Sequence, residues 1–179
     1  MKEAIKKKLF QRKVGTILFA ALIATYFFRP LIIAILLVII GGVSTIYKRY
    51  ISIGIDLELC SLCAVAIGAH FGALEGAIAG AASITLALTL NGHIALNPFF
   101  AAIKMLIFAG LGIVAAMFAG SHLIIAAAIF TIIADLFFVT IALRTGGNAG
   151  NLSIFLMTHI FFVIFQLRMF LPITKQLMG

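Results

Sequence analysis

Long uninterrupted apolar runs constrain this chain more than any other feature. Six of them follow one another with short breaks, at positions 31–47, 51–69, 72–90, 99–119, 123–143 and 152–171. A helix of about 17–25 apolar residues matches the hydrocarbon thickness of a bilayer. Because lipid offers no hydrogen-bond partner to an open backbone, such runs predict membrane-spanning helices.

Composition agrees with this prediction. Only 10% of the 179 residues are charged and 64% are hydrophobic, whereas soluble domains carry about 25% charged residues. We therefore predict an all-α integral membrane protein, a bundle of six or seven transmembrane helices. A single transmembrane domain would cover 14–172, after a basic segment 1–13 and before a short polar tail 173–179. The seventh helix depends on the run 14–28, whose fifteen residues are at the lower limit of spanning length.

Positive charge is concentrated at the N-terminus. The formal net charge is +8, and six of the thirteen basic residues precede the first run: Lys2, Lys6, Lys7, Lys8, Arg12 and Lys13. Such a segment favours a cytoplasmic N-terminus held at anionic lipid, and not a nucleic-acid partner. With Ile5, Leu9 and Phe10 it is also compatible with an interfacial helix that docks a partner. Arg29-Pro30 offers no small-residue cleavage site, so we expect no removable signal peptide.

The breaks between runs alternate in character. Those at 29–30, 70–71 and 120–122 are short, whereas those at 48–56, 91–98 and 144–151 are longer and polar. If each intervening helix crosses once, the long loops share one face, where they either capture a small molecule or only join helices. That face is cytoplasmic if 14–28 and 31–47 both span, and external if 14–47 crosses once.

Three glycines recur at intervals of four residues at the start of the run 72–90. Gly72, Gly76 and Gly80 would form a smooth helix face that allows close approach of another backbone, a main source of helix association in lipid. Either a helix of this chain or another subunit would occupy the face.

The segment Gly72-Ala73-Leu74-Glu75-Gly76-Ala77-Ile78-Ala79-Gly80, with the helices that follow it, resembles the substrate-binding S components of energy-coupling factor transporters. Gly72, Gly76 and Gly80 match the family's G-P-x-x-G-x-x-x-G turn and helix, with Ala73 at the proline position. Ala20 and Ala24 match the Ala-x-x-x-Ala surface with which the family's first helix docks a membrane coupling subunit.

The resemblance covers about 51–171 and implies a subunit of a prokaryotic cell membrane that captures a vitamin, metal ion or similar micronutrient. Separate ATPase subunits would supply energy, since this chain lacks a G-x-x-x-x-G-K-[ST] loop. No cofactor is expected.

Polar residues in the long loops and inside two apolar runs are the candidate solute ligands. They are Asp56, Glu58, Asn91, His93, Asn97, Asp135, Asn148 and His159. Asp135 and His159 lie within apolar runs, where an ionisable group costs about 2.5–3.5 kcal/mol on insertion scales. They either line a ligand or ion path, or Asp135 pairs with Lys104, His159 or a backbone donor and sets helix register. Carboxylates and His93 in the loops would suit a cation, but no known metal-ligand spacing is present.

The remaining motif is Cys60-Ser61-Leu62-Cys63. Zinc needs about four ligands and a membrane thiol oxidant needs a second cysteine pair, so we interpret the two cysteines as buried structural thiols. Sequence signatures of enzymes are absent. Two alternatives to transport stay open: a membrane scaffold that uses the glycine face to recruit a partner, and a thiol oxidoreductase.

Overall fold

A computed structural model of the chain describes residues 14, 17, 28–50 and 56–178. These residues are mainly helical and contain no strand. In chain order the elements are α1 (Arg29–Val43), a 3₁₀ turn (Ile46–Arg49), α2 (Cys60–Phe71), α3 (Ala73–Leu90), α4 (His93–Leu96), α5 (Pro98–Met117), α6 (Leu123–Arg144) and α7 (Ala149–Met178).

The predicted all-helical class is confirmed for the described residues. Within the described part of the chain, five segments are long and apolar enough to cross a bilayer: Arg29–Arg49, Ala73–Leu90, Pro98–Met117, Leu123–Arg144 and Ala149–Met178. The predicted total of six or seven is not reached among them. Most of the run 14–28 lies outside the described residues, as do Ala20 and Ala24.

The predicted span 51–69 is replaced by a much shorter helix. α2 begins at Cys60 and has twelve residues, a rise of about 18 Å, against a hydrocarbon core of about 30 Å. Its first nine residues are buried inside the protein. Residues 56–59 are not helical.

α2 is the central helix of the bundle. It packs against α1, α3, α5 and α7, and its Leu62 and Val65 share one hydrophobic cluster with Leu111, Val163 and Leu167. α6 contacts α5 and α7 at the periphery, where Ile125, Ile129, Ile133 and Phe137 form an exposed apolar stripe at intervals of four residues. Such a stripe suits contact with lipid.

Close backbone contact joins α2, α3 and α5. A Cβ on Gly76 would meet the Cα of Gly68 and the carbonyl oxygen of Gly112, and a Cβ on Gly80 would meet the carbonyl oxygen of Phe108. The glycine face of α3 is therefore occupied by two helices of the same chain. We call the residues Gly68, Gly76, Gly80 and Gly112 the glycine contact.

Gly72 does not belong to this contact, contrary to the sequence prediction. It is the single residue between α2 and α3, with φ +121°, and a Cβ there would approach the Glu75 side chain, not another helix. Because side-chain-bearing residues rarely adopt this φ, Gly72 serves the reversal of the chain. Its register with Gly76 and Gly80 is incidental to packing.

Candidate functional site

Because α2 begins only at Cys60, its N-terminus stops short of the end of α3 and leaves a recess at the long-loop end of the bundle. A Cβ on Gly41 would lie 3.3 Å from both Cys60 Cα and Ser83 Cβ, so the first residue of α2 is level with Ser83. α3 continues from there to Leu90, about 10 Å further. The coil 56–59 lies in this recess.

Side chains from three other segments hold the coil in place. Its backbone N–H groups at Asp56, Leu57 and Leu59 donate to Thr158 Oγ1 (3.1 Å), Tyr47 Oη (2.6 Å) and Ser44 Oγ (2.9 Å), respectively. Buried N–H groups without partners are costly, so these hydroxyls compensate for the missing helical hydrogen bonds. They direct both carboxylates of the coil into the protein.

Asp56 and Glu58 meet a lysine from the end of the 3₁₀ turn. Lys48 Nζ lies 2.5 Å from Asp56 Oδ1 and 3.7 Å from Glu58 Oε2. Both carboxylate side chains are almost fully buried, whereas the Lys48 side chain is 21% exposed. Lys48 thus neutralises part of a buried negative charge from the side nearest solvent.

Two intramembrane residues extend this arrangement into the bundle. His159 on α7 places Nδ1 2.7 Å from Asp135 Oδ2 on α6, and Nε2 3.4 Å from Glu58 Oε1. Asp135 therefore pairs with His159, one of the partners expected from sequence, and not with Lys104. Five ionisable side chains form a continuous row in the order Asp135, His159, Glu58, Lys48, Asp56. We call this row the charged cluster.

The cluster stabilises ionised Glu58 despite complete burial. Burial opposes the charged form, but His159, when its ring carries a proton on both nitrogens, and the Lys48 ammonium outweigh it and hold the pKa of Glu58 below its usual range. Two polar atoms of the cluster nevertheless have no hydrogen-bond partner: Glu58 Oε2 and His159 Nε2. Buried atoms of this kind need a physical explanation.

A cavity of about 470 Å³ opens beside the cluster, between the loops 91–97 and 145–148. Its described lining residues are Leu88, His93, Asn97, Phe100, Ala101, Lys104, Phe138, Ala142, Thr145, Gly146, Gly147 and Leu152. None of these carries a carboxylate. Lys104 is the lysine among these described lining residues. Its Nζ lies 5.2 Å from the Phe138 ring centroid and 5.7 Å from the Phe155 ring centroid, which is a cation–π geometry.

A small pocket of about 30 Å³ lies between the cavity and the cluster and shares lining residues with both. Lys48, Glu58 and Asn91 line it together with Leu88, His93 and Lys104, and the last three also line the large cavity. A volume of this size holds a single water or ion. Glu58 therefore lines a small pocket that neighbours the cavity, and it does not line the cavity itself.

The predicted asparagines are engaged in local structure. Asn97 Oδ1 accepts from Phe100 N–H at 3.2 Å at the start of α5, and Asn148 Oδ1 accepts from Asn151 N–H at 3.1 Å in the first turn of α7. Such bonds are typical of N-terminal helix caps. Asn97 also lines the cavity, but Asn148 does not.

Asn91 ties two elements together at the small pocket. Its Nδ2 donates to Thr45 Oγ1 at 2.9 Å and to Ala87 O at 2.8 Å, while its Oδ1 is buried without a hydrogen-bond partner. His93 lines both spaces. Partial burial and the positive charges of Lys104 and Lys48 lower the pKa of His93.

Lys48, Lys104, Tyr47 and Thr158 were not among the candidates from sequence. Lys104 had a signal, since it is a charge inside an apolar run. Lys48 resembled an ordinary loop cation, and nothing in the local sequence links Tyr47 or Thr158 to the coil. Their roles depend on contacts between segments far apart in the chain.

The two cysteines lie in the interior of the bundle. Both are free and fully buried, with Cys60 Sγ 3.3 Å from Gly41 O and Cys63 Sγ 3.8 Å from Ala79 O. These contacts to α1 and α3 fit the interpretation as structural thiols.

A comparison with protein-family models, curated proteins and solved structures finds no match to this chain.

Proposed function

We propose that this chain is the solute-binding subunit of a membrane transporter. The observation that carries the proposal is the cavity of about 470 Å³ between two long loops, with the charged cluster beside it. Small-molecule sites measure about 300–1,000 Å³ and combine apolar walls with a few convergent polar groups. The cavity has both properties.

The lining favours a small anion with an apolar part. Lys104 supplies a positive charge, His93 and Asn97 supply polar groups, and the described lining residues contribute no negative charge. Phe100 and Phe138 provide aromatic wall. A carboxylate or phosphate on the solute would pair with Lys104 while its apolar part contacts these rings.

Energy for uptake would come from other subunits. The chain lacks a phosphate-binding G-x-x-x-x-G-K-[ST] loop, and its resemblance to S components implies a membrane coupling subunit and ATPase subunits as partners. The exposed apolar stripe of α6 would face the bilayer. The scaffold alternative depended on a free glycine face, but that face is occupied within the chain.

Ligand binding by the purified protein tests the solute site. A panel of small carboxylates and phosphate esters with apolar groups is screened by thermal shift in nanodiscs, and hits are measured by calorimetry. We expect at least one micromolar ligand, with affinity reduced more than tenfold by Lys104→Met. Lys175→Met removes an exposed charge at the end of α7 and serves as the matched control. The proposal fails if no panel member binds, or if Lys104→Met binds as tightly as the control.

Co-purification tests the subunit role separately. The tagged chain, expressed in its own host, should retain a membrane partner and an ATPase in mild detergent. Ligand binding without such partners would leave a solute receptor and contradict the transporter assignment.

A further inference from the structure

The geometry around His159 requires a positive charge between two atoms. Its Nδ1 lies 2.7 Å from Asp135 Oδ2, so Nδ1–H donates to that carboxylate. Nε2 then faces Glu58 Oε1 at 3.4 Å and has no hydrogen-bond partner. A neutral Nε2 and an ionised carboxylate both present lone pairs, so their approach is favourable only with a proton or a metal cation between them.

The surrounding atoms form a ligand set. Asp56, Glu58 and His159 each offer one ligand atom, and the three atoms lie within 4.8 Å of one another. Zn²⁺ binds histidine nitrogen and carboxylate oxygen at roughly 2.0–2.2 Å in tetrahedral geometry, so two ligands of one ion lie about 3.3–3.6 Å apart. The widest pair of the set therefore needs to contract by up to about 1.5 Å, which side-chain rotations of Asp56 and Glu58 would supply.

The other ring nitrogen of His159 contacts a carboxylate, that of Asp135. Metal-bound histidines commonly donate their other ring N–H to a carboxylate, which fixes the tautomer and strengthens the nitrogen as a ligand. Asp135 holds this position. The row from Asp135 through His159 toward Glu58 therefore has the order of a carboxylate–histidine–metal arrangement.

We propose that Asp56, Glu58 and His159 bind a divalent transition-metal ion, with Asp135 as the positioning residue of His159. One nitrogen and two carboxylate oxygens suit Zn²⁺, Mn²⁺, Fe²⁺ or Co²⁺ better than a soft metal such as Cu⁺. This site lies beside the solute cavity without sharing a lining residue with it, and metal binding here does not depend on the proposed transport function.

Lys48 acts as the exchangeable counter-ion of the site. Its ammonium contacts Asp56 and lies 3.7 Å from Glu58, where it would repel a metal ion. The side chain is partly exposed, so it can swing toward solvent when metal enters. Metal and Lys48 thus compete for the same two carboxylates.

Cobalt titration of the full chain tests the site. The protein is purified in nanodiscs without a histidine tag, and Co²⁺ is added while visible absorption is recorded, with Zn²⁺ as competitor. We expect one Co²⁺ per chain, with ligand-field bands that Zn²⁺ removes. His159→Gln and Glu58→Gln should each weaken binding more than thirtyfold, whereas His122→Gln, which removes an exposed histidine, should not.

Lys48→Gln provides the decisive variant because it leaves all three ligands in place. Removing the competing ammonium should tighten Co²⁺ binding about tenfold, while Arg49→Gln, an exposed neighbour, should leave it unchanged. The proposal is overturned if wild type binds no Co²⁺, if bound Co²⁺ keeps the same spectrum in His159→Gln, or if Lys48→Gln binds no more tightly than Arg49→Gln. The Lys48→Gln comparison stands even if the ligand variants fail to fold.

Discussion

The two ends of α2 are held by opposite kinds of interaction. Near its C-terminus, Gly68 lies against the backbone of Gly112 with no room for a side chain. Before its N-terminus, Asp56 and Glu58 are buried by pairing with Lys48 and His159. The C-terminal end depends on the absence of side-chain atoms, so adding a methyl group should disrupt it. The N-terminal end depends on paired charges, so removing one charged group should disrupt it.

The largest expected effect comes from adding a methyl group to the glycine contact. In Gly76→Ala the new Cβ would collide with backbone atoms of both α2 and α5. Backbone atoms cannot move aside by a side-chain rotation, so the helices themselves would have to separate. We expect a destabilisation of more than about 4 kcal/mol, seen as loss of the monodisperse peak in detergent gel filtration. Gly120→Ala is the control because nothing lies within 4 Å of its Cβ position, and equal losses in both variants would contradict the comparison.

A deletion at the charged end should come next in size. Asp135→Asn removes the negative charge opposite the His159 Nδ1–H, and breaking one partner of a buried pair costs about 3–5 kcal/mol. Thermal unfolding followed by circular dichroism should show a large drop in midpoint. Glu75→Gln, which neutralises an exposed carboxylate on α3, should change the midpoint little. An Asp135→Asn midpoint equal to wild type would mean that the pair does not stabilise the bundle.

A smaller effect is expected from the hydroxyls that hold the coil. Ser44→Ala leaves the N–H of Leu59 without its acceptor, and because this bond is only part-buried we expect a cost of about 1 kcal/mol, the lower end of the range for a buried donor. The midpoint should fall less than in Asp135→Asn. Ser153→Ala removes an exposed hydroxyl on α7 and should be neutral. A Ser44→Ala protein as stable as this control would show that water replaces the serine.

The smallest effect is a pH dependence that comes from His93, which lines the small pocket together with Glu58. The pKa of His93 is lowered in the folded protein, so the folded state binds fewer protons than the unfolded state near pH 6. Stability from this group is complete above its ordinary pKa of about 6.5 and is lost as pH falls through the lower folded value. His93→Gln should reduce the fall in unfolding midpoint between pH 7.5 and pH 5, and His122→Gln should not. A larger reduction in His122→Gln than in His93→Gln would contradict the assigned direction of the His93 pKa shift.

Apolar runs predicted the membrane class and much of the helix pattern, because hydropathy measures transfer into lipid directly. The runs 72–90, 99–119 and 123–143 nearly coincide with α3, α5 and α6. The predicted start of this helix, at residue 51, was wrong for a physical reason, since α2 begins at Cys60. Residues 51–69 are apolar enough to span, but Asp56 and Glu58 find partners in Lys48 and His159, and hydropathy contains no information on pairing across the fold.

The sequence allowed most residues of the candidate site to be predicted, but not the contacts between them. Asp56, Glu58, Asp135 and His159 stood out as ionisable groups in an apolar chain, yet their contact depends on helix register that one sequence does not reveal. Similarly, the spacing of Gly76 and Gly80 predicted a smooth face, whereas its occupants, Gly68 and Gly112, lie on two other helices. In the sequence, Lys48 resembles an ordinary loop cation. Its role becomes visible only in the fold, where the coil brings Asp56 and Glu58 beside it.

The brevity of α2 has a consequence for biosynthesis. Twelve residues are too few to partition from the translocon as an independent segment, and only Gly72 separates them from α3, so the two must enter the bilayer together as a hairpin. The coil that follows the 3₁₀ turn then awaits Thr158 and His159, about a hundred residues later on the nascent chain. Lys48 precedes both carboxylates and can pair with them at once, but Glu58 is left without its second partner, His159, until the last helix has been synthesised.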